Sequence, residues 1–126
     1  MSKAPIRILI VEDEEVNVMI AQHILQKMGM ESVAVDNGEA AIQRVREETF
    51  HLILMDIEMP LMDGLEATAH IRKESLGAHV PIIALTAHSL PEKLDEVREA
   101  GMDDVLIKPF QEETFLPILK KYLKGP

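Results

Sequence analysis

Five residues of this chain carry side chains suited to handling a phosphoryl group, and each stands at the end of a short apolar run. Glu12-Asp13 follows IRILIV (6–11), Asp56 follows HLILM (51–55), Thr86 follows VPIIAL (80–85) and Lys108 follows VLI (105–107). Three carboxylates brought together repel one another, and one of them takes up a proton unless a cation intervenes. A hard divalent ion such as Mg²⁺ meets that need, because it prefers oxygen ligands and pairs carboxylates with phosphate oxygens. Lys108 supplies a point positive charge and Thr86 a hydroxyl donor. A carboxylate is also a competent nucleophile toward phosphorus, giving an aspartyl phosphate. The metal and Lys108 would then offset the charge on the transferring group.

This chemistry requires elements that bring distant residues to one edge. Five runs rich in Val, Ile and Leu, at 6–11, 32–35, 51–55, 80–85 and 105–107, read as strands. Helical spacing lies between them. Ile20, Ile24 and Met28 share a face with Ala21 and Leu25 beside them, and Gly29 closes that helix. Asn37-Gly38 opens a second helix to about 47, and Asp63-Gly64 a third to about 75. Pro91 suits the first turn of a fourth that Gly101 ends, and a fifth runs over about 112–123, where Pro117 predicts a kink or a later start. Alternating strands and helices predict an α/β, doubly wound (βα)5 fold, flavodoxin-like and three-layered. The first, third and fourth runs are the most apolar and belong in the middle, so the parallel sheet takes the order 2-1-3-4-5. The carboxyl edge at the switch point between strands 1 and 3 then gathers Glu12, Asp13 and Asp56, with Thr86 and Lys108 to one side.

Taken singly, each of these residues has an ordinary use. An Asp after a strand caps a turn or a helix, 12–15 (EDEE) favours a helix N-terminus, Thr86 caps, and Lys108 is solvated at an edge. Their joint placement at one edge is what points to a site. Composition removes other classes. The 126 residues are 47% hydrophobic and 28% charged, and 13 basic against 22 acidic residues give a net charge of −9. That predicts one globular domain over 1–126, with a core of about 6–123, and no nucleic-acid or anionic-membrane partner. With no cysteine there are no disulfides, thiolate catalysis or Cys-based zinc sites, which fits a cytoplasmic location. The six glycines are too far apart for a GxGxxG or GxxxxGK loop, and neither GxSxG nor HExxH occurs. No apolar run nears the roughly 18 residues of a membrane span, and residues 1–5 have no signal-peptide character.

The segments 8–13 (ILIVED), 54–64 (LMDIEMPLMDG), 83–87 (IALTA) and 108–110 (KPF) resemble the response-regulator receiver domains, the CheY-like family, in order and over nearly the whole chain. The segments 12–17 (EDEEVN) and 85–88 (LTAH) look most like receivers of hybrid sensor kinases. The resemblance implies a phosphoacceptor of a two-component system or phosphorelay, served by a histidine kinase or histidine phosphotransfer protein and acting on a downstream protein target or by onward transfer. It implies no enzyme beyond its own phosphorylation and dephosphorylation. Asp56 would be the phosphoacceptor. Asp13, Asp56 and the backbone carbonyl of Glu58 would ligate Mg²⁺, with Glu12 acting through water. Lys108 would pair with the phosphoryl group, and the Thr86 hydroxyl would swing toward it. The Lys108–Pro109 bond is expected to be cis.

Two departures stand out. Glu12 occupies a position where the family more often has Asp, and Val105 one where many members carry an aromatic that couples to the threonine. The expectation that follows is signalling that is weaker, or carried by helix 4 and its preceding loop alone. Glu58 and His88 should flank the pocket mouth and tune water access to the acyl phosphate. Val18 and Met19, off the core stripe of helix 1, offer a face for a kinase or phosphotransfer helix, whereas Met59, Leu61 and Met62 either pack on helix 3 or form an apolar loop by the site. Two other classes remain open at this level. A haloacid-dehalogenase-like phosphatase would need Asp-x-Asp after its first strand, and a pseudo-receiver would keep the fold without the chemistry.

Overall fold

The computed structural model describes residues 5–59, 62–87 and 91–123, with residues 91–93 described by backbone alone. Five strands alternate with five helices: β1 (Arg7–Val11), α1 (Glu15–Lys27), β2 (Glu31–Val35), α2 (Gly38–Glu47), β3 (Leu52–Asp56), α3 (Gly64–Arg72), β4 (Ile82–Thr86), α4 (Pro91–Ala100), β5 (Asp104–Ile107) and α5 (Glu112–Tyr122). The sheet is parallel in the order β2-β1-β3-β4-β5. That order is the one the apolar content of the runs predicts. β3 and β4 are buried throughout, and β2 and β5 form the edges.

Period-two alternation splits the core into two layers of side chains. Ile8, Ile10, Leu52, Leu54, Ile83 and Leu85 face α1 and α5, where Ala21, Leu25, Phe115 and Leu119 complete the packing. Leu9, Val11, Ile53, Met55, Ile82 and Ala84 face the other way, toward Val45, Ala67, Ile71 and Val97. Local chemistry sets the helix ends. Asn37 accepts from the Ala40 amide at 2.8 Å and Asp63 from the Glu66 amide at 2.9 Å, each acting as an N-cap. Gly29, at φ +76°, ends α1.

Four details differ from the sequence reading. Asp56 and Thr86 are the last residues of their strands rather than the residues after them. A single 3₁₀ turn at Ser75–Gly77 follows α3. Pro117 lies inside α5, which nonetheless starts at Glu112, so the expected later start is wrong. The capping pair Gln111 and Thr114 sets that start, and buried Phe115 and Leu119 anchor the helix on either side of the proline. Val18 is partly buried against the α1–α5 layer and does not lie off the core stripe; Val16 and Met19, each 66% exposed, are the outward apolar residues.

At the opposite end from the carboxyl edge, Arg72 ties four segments together. Its guanidinium donates to the carbonyls of Gly101 (2.9 Å), Gly77 (3.0 Å) and Val80 (2.6 Å) and pairs with Asp103 (2.9 Å). Asp103 in turn accepts from the Ile82 amide at the start of β4. No helix among the described residues is long and apolar enough to cross a membrane.

Candidate functional site

The C-terminal ends of β1, β3, β4 and β5 form one polar pocket. Glu12, one residue past β1, is held by its amide on the Val35 carbonyl at 3.0 Å, and only 1% of it is exposed. Asp56 ends β3 and is equally buried. Asp13 is exposed at the rim. One carboxylate oxygen from each of the three lies within 4.8 Å of the others. The expected convergence of Glu12, Asp13 and Asp56 is therefore present.

Lys108 reaches this group from beyond β5. Its amide donates to the Thr86 carbonyl at 2.8 Å, and the Lys108–Pro109 bond is cis as expected. Its Nζ lies 3.0 Å from Glu12 Oε1 and 3.1 Å from Asp56 Oδ2, so one ammonium bridges two buried carboxylates. The Glu58 amide donates to Asp56 Oδ1 at 2.9 Å. Asn17, in the first turns of α1, donates to Glu12 Oε1 at 2.7 Å. The Thr86 hydroxyl is turned to Glu58 Oε1 at 3.3 Å, and the Ala87 amide approaches the same oxygen at 3.4 Å. These are long contacts, easily exchanged for a better acceptor.

The electrostatics follow from burial. Desolvation, together with hydrogen bonding to Glu12 and its negative charge, pushes the Asp56 carboxyl up to about 6, against the opposing pull of the Glu58 amide and the Lys108 ammonium. Lys108 behaves in the opposite sense. Burial works against its charge, but the hydrogen bonds and charges of Glu12 and Asp56 outweigh it and hold the ammonium above its usual value. The pocket thus has more negative charge than one lysine neutralises.

That donor set fits Mg²⁺: three hard oxygen ligands on one side of a cleft, with charge to spare and no sulfur or imidazole among them. Glu12, Asp13 and Asp56 are the residues placed to hold such an ion, directly or through water. Met59 and Met62 bear on the question of an apolar loop. Met59 is buried in the core and Met62 packs against it, so both serve packing rather than forming a free apolar surface. Leu61 and His88 lie outside the described residues. Val105 is half-buried beside a small cavity of about 100 Å³ that it shares with Leu94 and Val97 of α4. Among the described residues, the Arg72 clamp and the contact made by Asn17, named above only as the end of the 12–17 segment, do not follow from the sequence reading. The spacing of Asn17, five residues beyond Glu12 in the opening turn of a helix, was the available signal.

A three-layer α/β fold with an acidic cluster, a lysine and a threonine at its switch point defines a receiver. Residues 8–120 match the family described as the response regulator receiver domain, and the chain belongs to that family. It is 42% identical to the sensor protein GacS of Pseudomonas syringae over 96% of its own length, and spans 14% of that much longer protein. It is also 42% identical to the two-component response regulator ORR41 of rice (Oryza sativa subsp. japonica), covering 97% of this chain and 98% of that one. Among solved structures, the receiver domain of a Pseudomonas aeruginosa sensor histidine kinase superposes with a TM-score of 0.89 at 36% identity, covering 97% and 100% of the two chains. That structure holds a magnesium ion coordinated in its active-site cleft. The chemotaxis protein CheY4 of Vibrio cholerae gives a TM-score of 0.90 at 32% identity, over 94% and 99%.

Proposed function

We propose that this chain is the phosphoacceptor of a phosphorelay, with Asp56 taking a phosphoryl group from the phosphohistidine of a kinase or phosphotransfer protein. The observation that carries this reading is the pairing of three clustered carboxylates with a lysine 3.1 Å from Asp56 Oδ2. In the step, an Asp56 oxygen forms a bond to phosphorus as the phosphorus–nitrogen bond of the donor breaks. The leaving imidazole takes the electron pair and picks up a proton. Asp13, Asp56 and the Glu58 carbonyl, with Glu12 acting through water, would hold Mg²⁺, which would supply positive charge to the phosphoryl oxygens. Lys108 is already beside the acceptor and pairs with the incoming group. The Thr86 hydroxyl leaves Glu58 for a phosphoryl oxygen. With Val105 in place of an aromatic, the change then passes to α4 and its preceding loop. The chain acts as one domain over 1–126 and catalyses only its own phosphorylation and dephosphorylation. Its acidic, cysteine-free composition suits the cytoplasm.

Met19, exposed on α1, lines a groove of about 600 Å³ whose walls also include Glu12, Asp13 and Asp36. A phosphodonor helix resting there would meet the acceptor, which supports a kinase or phosphotransfer partner; output passes to a downstream protein or onward to a second histidine. The direct test of the reading is incubation with a small phosphodonor. One phosphoryl group is gained with Mg²⁺ and none with a chelator; no gain under either condition points to a binding module that keeps the fold alone.

Metal binding should also carry a pH signature. Because the Asp56 carboxyl titrates near 6 in the metal-free protein, protons compete with the cation below that value. The Mg²⁺ dissociation constant should weaken about tenfold between roughly pH 7 and pH 5 if one proton is displaced. The sign for stability follows the same logic. A folded-state value above the unfolded one of 3.8 means that metal-free stability is lost as pH rises through about 6. The stabilisation by Mg²⁺ should therefore grow over that interval. Calorimetric titration at several pH values checks both; a constant affinity contradicts them.

A further inference from the structure

We propose that Asn17 is a positioning residue that makes a glutamate workable at position 12, by fixing its carboxylate for cation binding. The inference rests on the receiver reading above. Glu12 has one more rotatable bond than an aspartate, yet it is almost completely buried at the pocket floor. Freezing that extra freedom costs conformational entropy, and the cost falls on metal binding unless the apo structure already meets it.

Two donors hold the carboxylate in place. Asn17 Nδ2 lies 2.7 Å from Oε1, and Lys108 Nζ lies 3.0 Å from the same oxygen. Oε2 meets Lys108 at the longer distance of 3.4 Å, so it is the less tightly held oxygen and the one placed to meet a cation or its water. The two donors are not equivalent. Lys108 is also bound to Asp56, and its positive charge opposes a metal ion in the same pocket. Asn17 is neutral, so it orients Glu12 without that competition. It is anchored on α1, whose packing through Ala21, Ile24 and Leu25 makes the donor position rigid. Partners of this kind, one step behind the ligands, commonly change metal affinity by about ten- to a hundredfold.

The test is calorimetric titration of Mg²⁺ into four proteins: wild type, Asn17→Ala, Glu12→Asp, and the double variant. Asn17→Ala should weaken Mg²⁺ binding about tenfold. An aspartate at position 12 is too short to make the same hydrogen bond, so Asn17→Ala should change affinity less than about twofold in that background. Alanine is the better helix former, so a loss of helix stability does not explain the effect. A dissociation constant for Asn17→Ala within about twofold of wild type overturns the inference, as does an equal loss in both backgrounds. In either case, wild-type protein that binds Mg²⁺ leaves the receiver reading standing. Wild-type protein that binds no Mg²⁺ contradicts that reading and this inference together.

Discussion

Replacing Lys108 with methionine should slow phosphorylation from a small phosphodonor by about a hundredfold or more, and lower metal-free stability at neutral pH by about 2–4 kcal/mol. The two effects share one cause. The ammonium stands 3.0 Å from Glu12 and 3.1 Å from Asp56, and both carboxylates are buried. Methionine keeps an apolar stem of similar reach, so packing is largely retained and charge is what is lost. Without the cation, two carboxylates face each other out of water, and the loss is capped only by proton uptake. Chemistry suffers because no fixed positive charge remains beside the acceptor oxygen. Metal binding should respond in the opposite sense, because the ion no longer meets a resident cation. Mg²⁺ should then raise the melting temperature of Lys108→Met by more than that of the wild type. A variant that phosphorylates at near wild-type rate, or whose stability deficit ignores Mg²⁺, contradicts this account.

The second large effect is expected at Gly64. A Cβ there would lie 2.2 Å from the carbonyl oxygen of Asp56 and 2.7 Å from the Cα of Ile57. Both are backbone atoms, so no side-chain rotation relieves the clash. The first turn of α3 must back away from the end of β3, disturbing the segment that aims Asp56. Gly64→Ala should cost about 3 kcal/mol or more, a drop of roughly 10 °C in melting temperature, with a matching loss of phosphorylation. Gly38 is the internal comparison. A Cβ there meets chiefly the Met62 side chain, with Sδ at 2.9 Å, and a flexible thioether gives way. Gly38→Ala should be clearly milder in thermal melts, and equal losses at the two positions would refute the argument.

Much of this was legible in the residues. Five short apolar runs, two of them weaker, were enough to order the sheet, because burial on both faces demands continuous Val, Ile and Leu. Once the order was known, the carboxyl edge placed Glu12, Asp13, Asp56, Thr86 and Lys108 together without any side-chain detail. What escaped was side-chain direction. Val18 looked exposed by helical spacing, but the width of the stripe on α1 depends on how α5 packs alongside, and it is half-buried. The contacts of Glu58 with Thr86 and Ala87 join a β3–α3 loop to the end of β4, about 30 residues apart in sequence, and no local pattern announces them. No local pattern marks Arg72; its four partners come together only when the loops around β4 and β5 close over it.

The function of this receiver turns on whether Asp56 accepts a phosphoryl group in a metal-dependent step. Intact mass after incubation with a small phosphodonor and Mg²⁺ tests it most directly, run on wild type and Asp56→Asn. One added phosphoryl group is expected on the wild type, none with chelator and none on Asp56→Asn, with the variant still folded. Equal phosphorylation of Asp56→Asn and wild type, or uptake that persists without a divalent cation, would contradict it.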